Sequence, residues 1–251
     1  MTDSMFKTAE GRRLAYNRIA GAEPGVVFLG GFKSDKEGSK ALHLEAWARA
    51  QGRAFLRFDY SGHGRSSGAF TDGSVGDWTA DAAAVVLGLT KGPQVLVGSS
   101  MGGWIALLLA RHHPESVAGL VTIAAAPDFT EDDMWAGFSR AERESLMTQG
   151  WITQPSEYGE PYIITRHLIE DGRKNLVLRS PLRVDAPVRM LQGTADADVK
   201  RSVALRLLDH LDGPDIHLEF VQGADHRFSD PRCLAVISRA LGEVLAHTEF
   251  Q

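Results

Sequence analysis

The sequence predicts an α/β fold built on a mostly parallel central sheet of about eight strands flanked by helices. Three observations carry this prediction. Short β-rich runs alternate with helical ones along most of the chain, the pattern of a sheet covered on both faces. The stretch PQVLVGSSMGGWIALLLARHH, residues 93–113, passes from an apolar β-like segment through small residues straight into an apolar helix. The chain has 251 residues, 43% of them hydrophobic and 24% charged. That is an ordinary globular composition, long enough to bury a sizeable core in one large domain or two small ones.

The candidate strands are, in order, MFKTAE, RLAYNRI, GVVFLG, AFLRFDY, QVLVG, VAGLVTIAA, VRMLQG and IHLEFVQ. Glu10-Gly11 separates the first two, which read as a hairpin at a sheet edge. Helices fit between the later strands: SKALHLEAWARAQ, SVGDWTADAAAVVLGL, MGGWIALLLARHH, DVKRSVALRLLDHL and PRCLAVISRALGEVLAH. The first of these stops at Gly52, as a helix C-terminus favours. The alternation breaks once, between AAAP and APVRMLQG. The intervening segment is rich in large apolar residues: Phe129, Met134, Trp135, Phe138, Met147, Trp151, Tyr158 and Tyr162. A structureless insertion of that length is unusual. The expected organisation is therefore a core of residues 1–126 and 187–251 with a small cap over residues 127–186; an ordinary pair of surface helices is the plainer alternative.

Several function classes drop out early. The net charge is −5 and no basic run appears, so nothing suggests a nucleic-acid or anionic-membrane surface. No apolar stretch approaches the roughly 18 residues of a membrane span. The start MTDSMFKTAEGRR reads as neither a signal peptide nor an acid-poor transit peptide, which makes the cytoplasm the expected compartment. One cysteine, Cys233, allows no internal disulfide and no cysteine-based metal cluster; in a helix it reads as core.

G-x-S-x-G occurs twice, at Gly64–Gly68 and at Gly98–Gly102. The first lies among glycines and small polar residues with no apolar helix behind it, and reads as a loop. The second has the strand–turn–helix setting of a nucleophile elbow. Close packing of strand on helix there requires small residues two before and two or three after the nucleophile. Centred on Ser100, those positions are Gly98, Gly102 and Gly103; centred on Ser99, two of them would be Val97 and Met101. Ser100 is the expected nucleophile.

A serine hydroxyl needs a base, and the base needs an orienting acid. Among nine histidines, His226 stands in a glycine-containing loop just after the last candidate strand. The acid should follow the preceding strand, where Gly193-Thr194-x-Asp196 favours Asp196, while Asp198 is better placed to cap the next helix. Two backbone N–H groups would hold the developing oxyanion: that of Met101, next to the nucleophile, and that of Phe32, after the glycine pair Gly30-Gly31. Phe129, Trp135, Phe138 and Trp151, with Trp104 one helical turn past the elbow, are the candidates, several of which should line an apolar acyl slot. Asp59, in DYSGHGRS, reads as a brace for the turn after its strand. No His/Asp/Glu set has ligand spacing, and no dinucleotide fingerprint opens a helix, so neither metal nor cofactor is implied.

These residues resemble the α/β-hydrolase superfamily over nearly the whole chain. GGFKSDKEGSKALHLEAWARAQGRAFLRFDYSGHGRSSG, GPQVLVGSSMGGWIALLLARHHPE and SPLRVDAPVRMLQGTADADV are most similar to one branch of it. That branch is the mitochondrial palmitoyl-protein thioesterases that also hydrolyse mycophenolic acid acyl-glucuronide. The resemblance implies a triad of Ser100, Asp196 and His226 and a small-molecule acyl ester or thioester, or an acylated protein, as substrate. The Gly-Gly-Phe oxyanion loop departs from the commoner His-Gly or Pro-Gly opening, and the missing transit peptide suits a bacterial-type relative. The expectation is a serine esterase or thioesterase. A carbon–carbon bond hydrolase or peptidase would use the same triad. A non-catalytic binding protein on this fold would be expected to have lost a member of it.

Overall fold

The computed structural model describes residues 4–155 and 161–248; Tyr158 lies outside them. The chain opens with β1 (Ser4–Lys7), β2 (Arg13–Ile19) and β3 (Ala22–Leu29), then α1 (Ser39–Ala50), β4 (Arg53–Phe58) and α2 (Val75–Leu89). β5 (Gln94–Ser99), α3 (Met101–His112) and β6 (Val117–Ile123) complete the first half. The segment after β6 holds a π-helical turn (Thr130–Trp135), α4 (Arg140–Gln149), the hairpin strands β7 (Trp151–Gln154) and β8 (Tyr162–Thr165), and α5 (Arg166–Gly172). β9 (Leu182–Arg183), β10 (Val188–Gly193), α6 (Arg201–His210), β11 (Leu211–Asp212), β12 (Ile216–Val221) and α7 (Pro231–Thr248) finish the chain.

All eight strands read from the sequence join one sheet, in the order β1-β2-β4-β3-β5-β6-β10-β12. Only the β1–β2 and β2–β4 pairings are antiparallel; from β4 to β12 every neighbour is parallel. Apart from β12 at the edge, these strands are largely buried on both faces, and their side chains split by the period of two. Val26 and Phe28 of β3 face α1 and α7, with Leu44, Ile237 and Leu241. Val27 and Leu29 face α2 and α3, with Trp78, Val85 and Leu108. Each fully buried Leu or Val there contributes about 1.5–3 kcal/mol relative to exposure.

The helices stop and start where their ends are satisfied. Gly52, at φ 66°, turns the chain out of α1, and the Ser74 hydroxyl accepts the Asp77 N–H at the head of α2. β1 and β6 end two or three residues before the expected positions, at Lys7 and Ile123, and two starts differ as well. β3 begins at Ala22, before Pro24, because residues 22–25 bulge against β4 before regular pairing starts at Val26. α6 begins at Arg201 with Lys200 as its N-cap residue, so Asp198 precedes the helix by more than the expected reading allows.

Residues 127–186 hold a hairpin sheet of their own between short helices. Phe138, Leu146, Ile152, Ile164 and Leu168 join the same apolar cluster as Trp78 and Trp104. Asp128, fully buried, ties the start of the segment to its end, accepting the Val177 and Leu178 N–H groups at 2.7 and 2.9 Å.

Candidate active site

Ser100 alone forms the turn between β5 and α3, at φ 54° and ψ −117°. Its backbone is fixed from outside: its N–H donates to the Ile123 carbonyl of β6 at 2.9 Å, and its carbonyl accepts the Ala126 N–H at 3.1 Å. The glycines around it are demanded by contact. A Cβ on Gly98 would lie 2.3 Å from the Gly102 carbonyl oxygen, one on Gly102 2.0 Å from the Leu29 oxygen, and one on Gly103 2.6 Å from the Ala125 Cβ. These are the positions the Ser100-centred reading requires to be small; Ser99 is a buried strand residue.

The His226 Nε2 lies 3.1 Å from the Ser100 Oγ. On the other side of the ring, Nδ1 lies 3.0 and 3.2 Å from the two oxygens of Asp196. Asp196 follows β10 and His226 follows β12, so neighbouring parallel strands deliver both side chains to the carboxyl edge of the sheet beside Ser100. Asp196 Oδ1 also accepts the Asp198 and Val199 N–H groups at 2.9 and 2.8 Å, and Oδ2 accepts Gln192 Nε2 at 3.0 Å. Burial alone would push the Asp196 carboxyl up, but the hydrogen bonds from His226 and Val199 outweigh it and hold it below the usual range. A carboxylate kept ionised in this way fixes the imidazole with Nδ1 protonated, leaving the Nε2 lone pair toward the hydroxyl. The His226 loop is braced too: Lys40 Nζ donates to the Arg227 carbonyl and the Phe228 N–H donates to Asp225. Burial lowers the Lys40 ammonium to about 8.

After β3, the Gly31 Cα passes close enough that a Cβ there would sit 3.5 Å from the Ser100 Cβ. Ser34 donates both its N–H (3.2 Å) and its hydroxyl (2.8 Å) to the Gly31 carbonyl. That carbonyl shares a peptide plane with the Phe32 N–H, so the clamp turns the N–H the opposite way. Among the described residues neither the Phe32 nor the Met101 N–H has a hydrogen-bond partner.

A cavity of about 840 Å³ opens over Ser100 and His226. Its apolar wall includes Phe32, Phe129, Met134, Tyr162, Val199 and Val203. Phe32 packs edge-on against Phe129 and Tyr162, each with ring centroids 5.6 Å away, joining the loop after β3 to the 127–186 segment. Asp132 pairs with Arg179 and, at 2.7 Å, with Arg206 of α6, which ties that segment across the cavity wall.

Residues 27–151 match the model of the alpha/beta hydrolase fold family. Over 231 residues, 91% of the chain and 77% of the relative, the sequence is 36% identical to a rat protein, the mitochondrial palmitoyl-protein thioesterase ABHD10. The chain belongs to the α/β-hydrolase family. The solved structure of mouse alpha/beta hydrolase domain-containing protein 10 superposes with a TM-score of 0.91 at 31% identity, covering 98% of this chain and 99% of that one. Est1E from Butyrivibrio proteoclasticus with ferulic acid bound shares the fold alone, with a TM-score of 0.83 at 18% identity over 99% of this chain and all of that one.

Of the five aromatic residues expected in the acyl slot, Phe129 lines the cavity, and the other four, Trp104, Trp135, Phe138 and Trp151, are a correction: none of them does. Trp104 lies one turn along α3, which runs away from the site, so it sits a layer behind the wall. It packs edge-on against Phe129 and donates its indole N–H to the Asn175 carbonyl at 3.0 Å. Trp135 is held between the guanidinium groups of Arg143 and Arg173, 5.2 and 4.4 Å from its ring. Phe138 is buried inside the segment, and Trp151 is 49% exposed on the outer face of the hairpin. Beside Phe129 the segment contributes Met134 and Tyr162 to the wall, which its large apolar residues signalled without saying which way each side chain points. Asp59 braces its turn as expected, accepting the Arg65 N–H at 2.9 Å, and also the Lys36 N–H at 2.6 Å.

Asp196, Asp198 and His226 bring ligand-type atoms within 4.8 Å of one another. The Asp196 oxygens are already engaged by the backbone, Gln192 and His226, which suits a hydrogen-bonded relay better than a cation. His63 is a residue to which the sequence assigns no role. It is 3% exposed and lies behind the loop after β3, where its Nε2 accepts the Lys33 N–H at 3.2 Å.

Proposed function

We propose that this protein is a serine hydrolase of carboxylic esters or thioesters that works through an acyl-enzyme. Ser100 Oγ attacks the acyl carbonyl and its proton passes to His226 Nε2. The Phe32 and Met101 N–H groups take the oxyanion of the tetrahedral intermediate, each donor contributing roughly 2.7–4 kcal/mol. Collapse breaks the bond to the leaving alcohol or thiol, which departs with the proton from His226. Water then attacks the acyl-enzyme and gives its proton to His226; the acid leaves and Ser100 regains its hydrogen. Asp196 holds the imidazole tautomer and balances the imidazolium charge throughout.

The observation that carries this reading is the unbroken chain Ser100 Oγ–His226 Nε2, His226 Nδ1–Asp196, at 3.1 and 3.0 Å, on a serine at φ 54°. The apolar cavity wall favours an acyl chain, and the ABHD10 relatives, by name palmitoyl-protein thioesterases, favour a long-chain thioester, small or protein-borne. The test is twofold: a fluorophosphonate probe should label the wild-type chain on Ser100 and leave Ser100→Ala unlabelled, and acyl-thioester and acyl-ester series should turn over. A chain unlabelled at Ser100 overturns the reading.

A further inference from the structure

His63 sits in the loop after β4, and its surroundings fix its tautomer. Nδ1 lies 3.1 Å from the Ser61 carbonyl, which can only accept, so Nδ1 carries the hydrogen. The Trp78 indole N–H donates to the same carbonyl at 3.1 Å. Tyr60, Phe70 and Trp78 stand edge-on to the imidazole, with ring centroids 5.5, 5.2 and 5.0 Å away. Nε2 is then a bare acceptor, and what it accepts is the Lys33 N–H. Lys33 has φ 58°, a left-handed backbone that an L side chain rarely adopts. The residue before it is Phe32.

We propose that His63 is a positioning residue for the oxyanion loop: its Nε2, by accepting the Lys33 N–H, holds the left-handed turn that aims the Phe32 N–H at the reacting carbonyl. Ser34 clamps the peptide in front of Phe32 from its carbonyl side, and His63 clamps the peptide behind it from its N–H side. Between two fixed peptide planes the Phe32 N–H has little freedom left, which is the preorganisation an oxyanion donor requires. Burial lowers the imidazole to about 4, so the acceptor stays unprotonated at neutral pH. The inference rests on the reading of Phe32 as an oxyanion donor.

The experiment compares His63→Phe, which keeps a flat ring in the aromatic box but offers no acceptor, with His63→Gln, whose side-chain oxygen can replace Nε2. With a butyryl ester and thioester, His63→Phe should lower kcat by about 10–100-fold, short of the 10²–10³ lost with a whole donor, with KM within about twofold; His63→Gln should recover most of that loss. An alkyl boronic acid, which forms a tetrahedral adduct on serine, should lose affinity for His63→Phe by the factor by which kcat/KM falls, while the free fatty acid product should bind both variants as it binds wild type. Where the phenylalanine variant does not fold, His63→Asn, whose amide is too short to reach Lys33, takes its place. Equal losses in the Gln and Phe (or Asn) variants, or unchanged boronic-acid affinity, overturn the proposal. A wild-type chain that takes up no boronic acid on Ser100 instead overturns the hydrolase reading beneath it.

Discussion

The two G-x-S-x-G matches occupy the same molecule to opposite effect. In Gly98–Gly102 the central Ser100 turns its hydroxyl to His226, and its backbone is held by β6. In Gly64–Gly68 the central Ser66 commits its hydroxyl inside the fold, donating to the Asp59 carbonyl at 2.6 Å and accepting the Ala15 N–H at 2.9 Å. The difference lies in the element that each motif leads into. A helix packed hard on its strand forces one serine into a sharp turn, while a loop lets the other settle into ordinary hydrogen bonds. The second match is not idle, because its neighbour His63 reaches the loop beside Ser100. On the proposed mechanism one motif presents the reacting atom, and the residue just before the other holds a backbone turn beside it.

The largest contrast should come from the two serines themselves. Ser100→Ala is expected to lower kcat by a factor on the order of 10⁶, since members of such a triad act as a unit. Ser66→Ala should keep kcat within about tenfold and lose about 1–3 kcal/mol of stability by urea unfolding, from the Asp59 and Ala15 partners left unmet. Similar kcat losses at both positions would erase the distinction. Next come the acids. Asp196→Asn should cost on the order of 10⁴ in kcat by stabilising the wrong imidazole tautomer, whereas Asp198→Asn, which leaves the Asp196–His226 hydrogen bonds in place, should cost little.

A titration sharpens the contrast further. His63 is depressed from 6.5 to about 4 by burial, so between those values the unfolded chain holds a proton that the folded chain refuses. The stability tied to its neutral form is therefore complete above pH 6.5 and is lost as pH falls toward 4. Unfolding free energies of wild type at pH 7, 6 and 5 should fall more steeply than those of His63→Phe, by up to about 1.4 kcal/mol per pH unit. Parallel slopes would mean that His63 is not held neutral. The smallest effect concerns the cavity. Each methylene of the acyl chain should raise kcat/KM by up to roughly fourfold, from about 0.8 kcal/mol of burial, until the slot is full. Phe129→Ala should blunt that trend and Trp151→Ala should not, as a chain-length series would reveal; equal blunting would return Trp151 to the site.

Much of the sheet was legible because parallel strands buried on both faces read as apolar runs, and the helices between them are long enough to show a period. Ser100, Asp196 and His226 were legible because each stands in a short loop after its own strand, where chain order and glycine spacing limit the choices. The 127–186 segment was not, since β7 and β8 are four residues each and the π-helical turn has no period of its own to read. Nor could composition tell the ring that faces the cavity, Phe129, from the rings that face guanidinium groups or solvent, Trp135 and Trp151. His63 was hidden for a related reason: its partner is a backbone N–H thirty residues away, and no side-chain pattern marks such a pairing.

The turn at Ser100 has a bearing on how this chain can change over time. At φ 54° and ψ −117° it occupies a region where glycine is at ease and any other residue costs of order 1–3 kcal/mol. On the proposed mechanism, a single change to glycine would therefore yield a tougher and inert protein. Selection for durability alone would drift toward that change, and only selection for turnover holds it off. The serine persists there as a debt the rest of the fold must carry, and copies of the gene released from that demand would be expected to lose the hydroxyl before they lose the sheet.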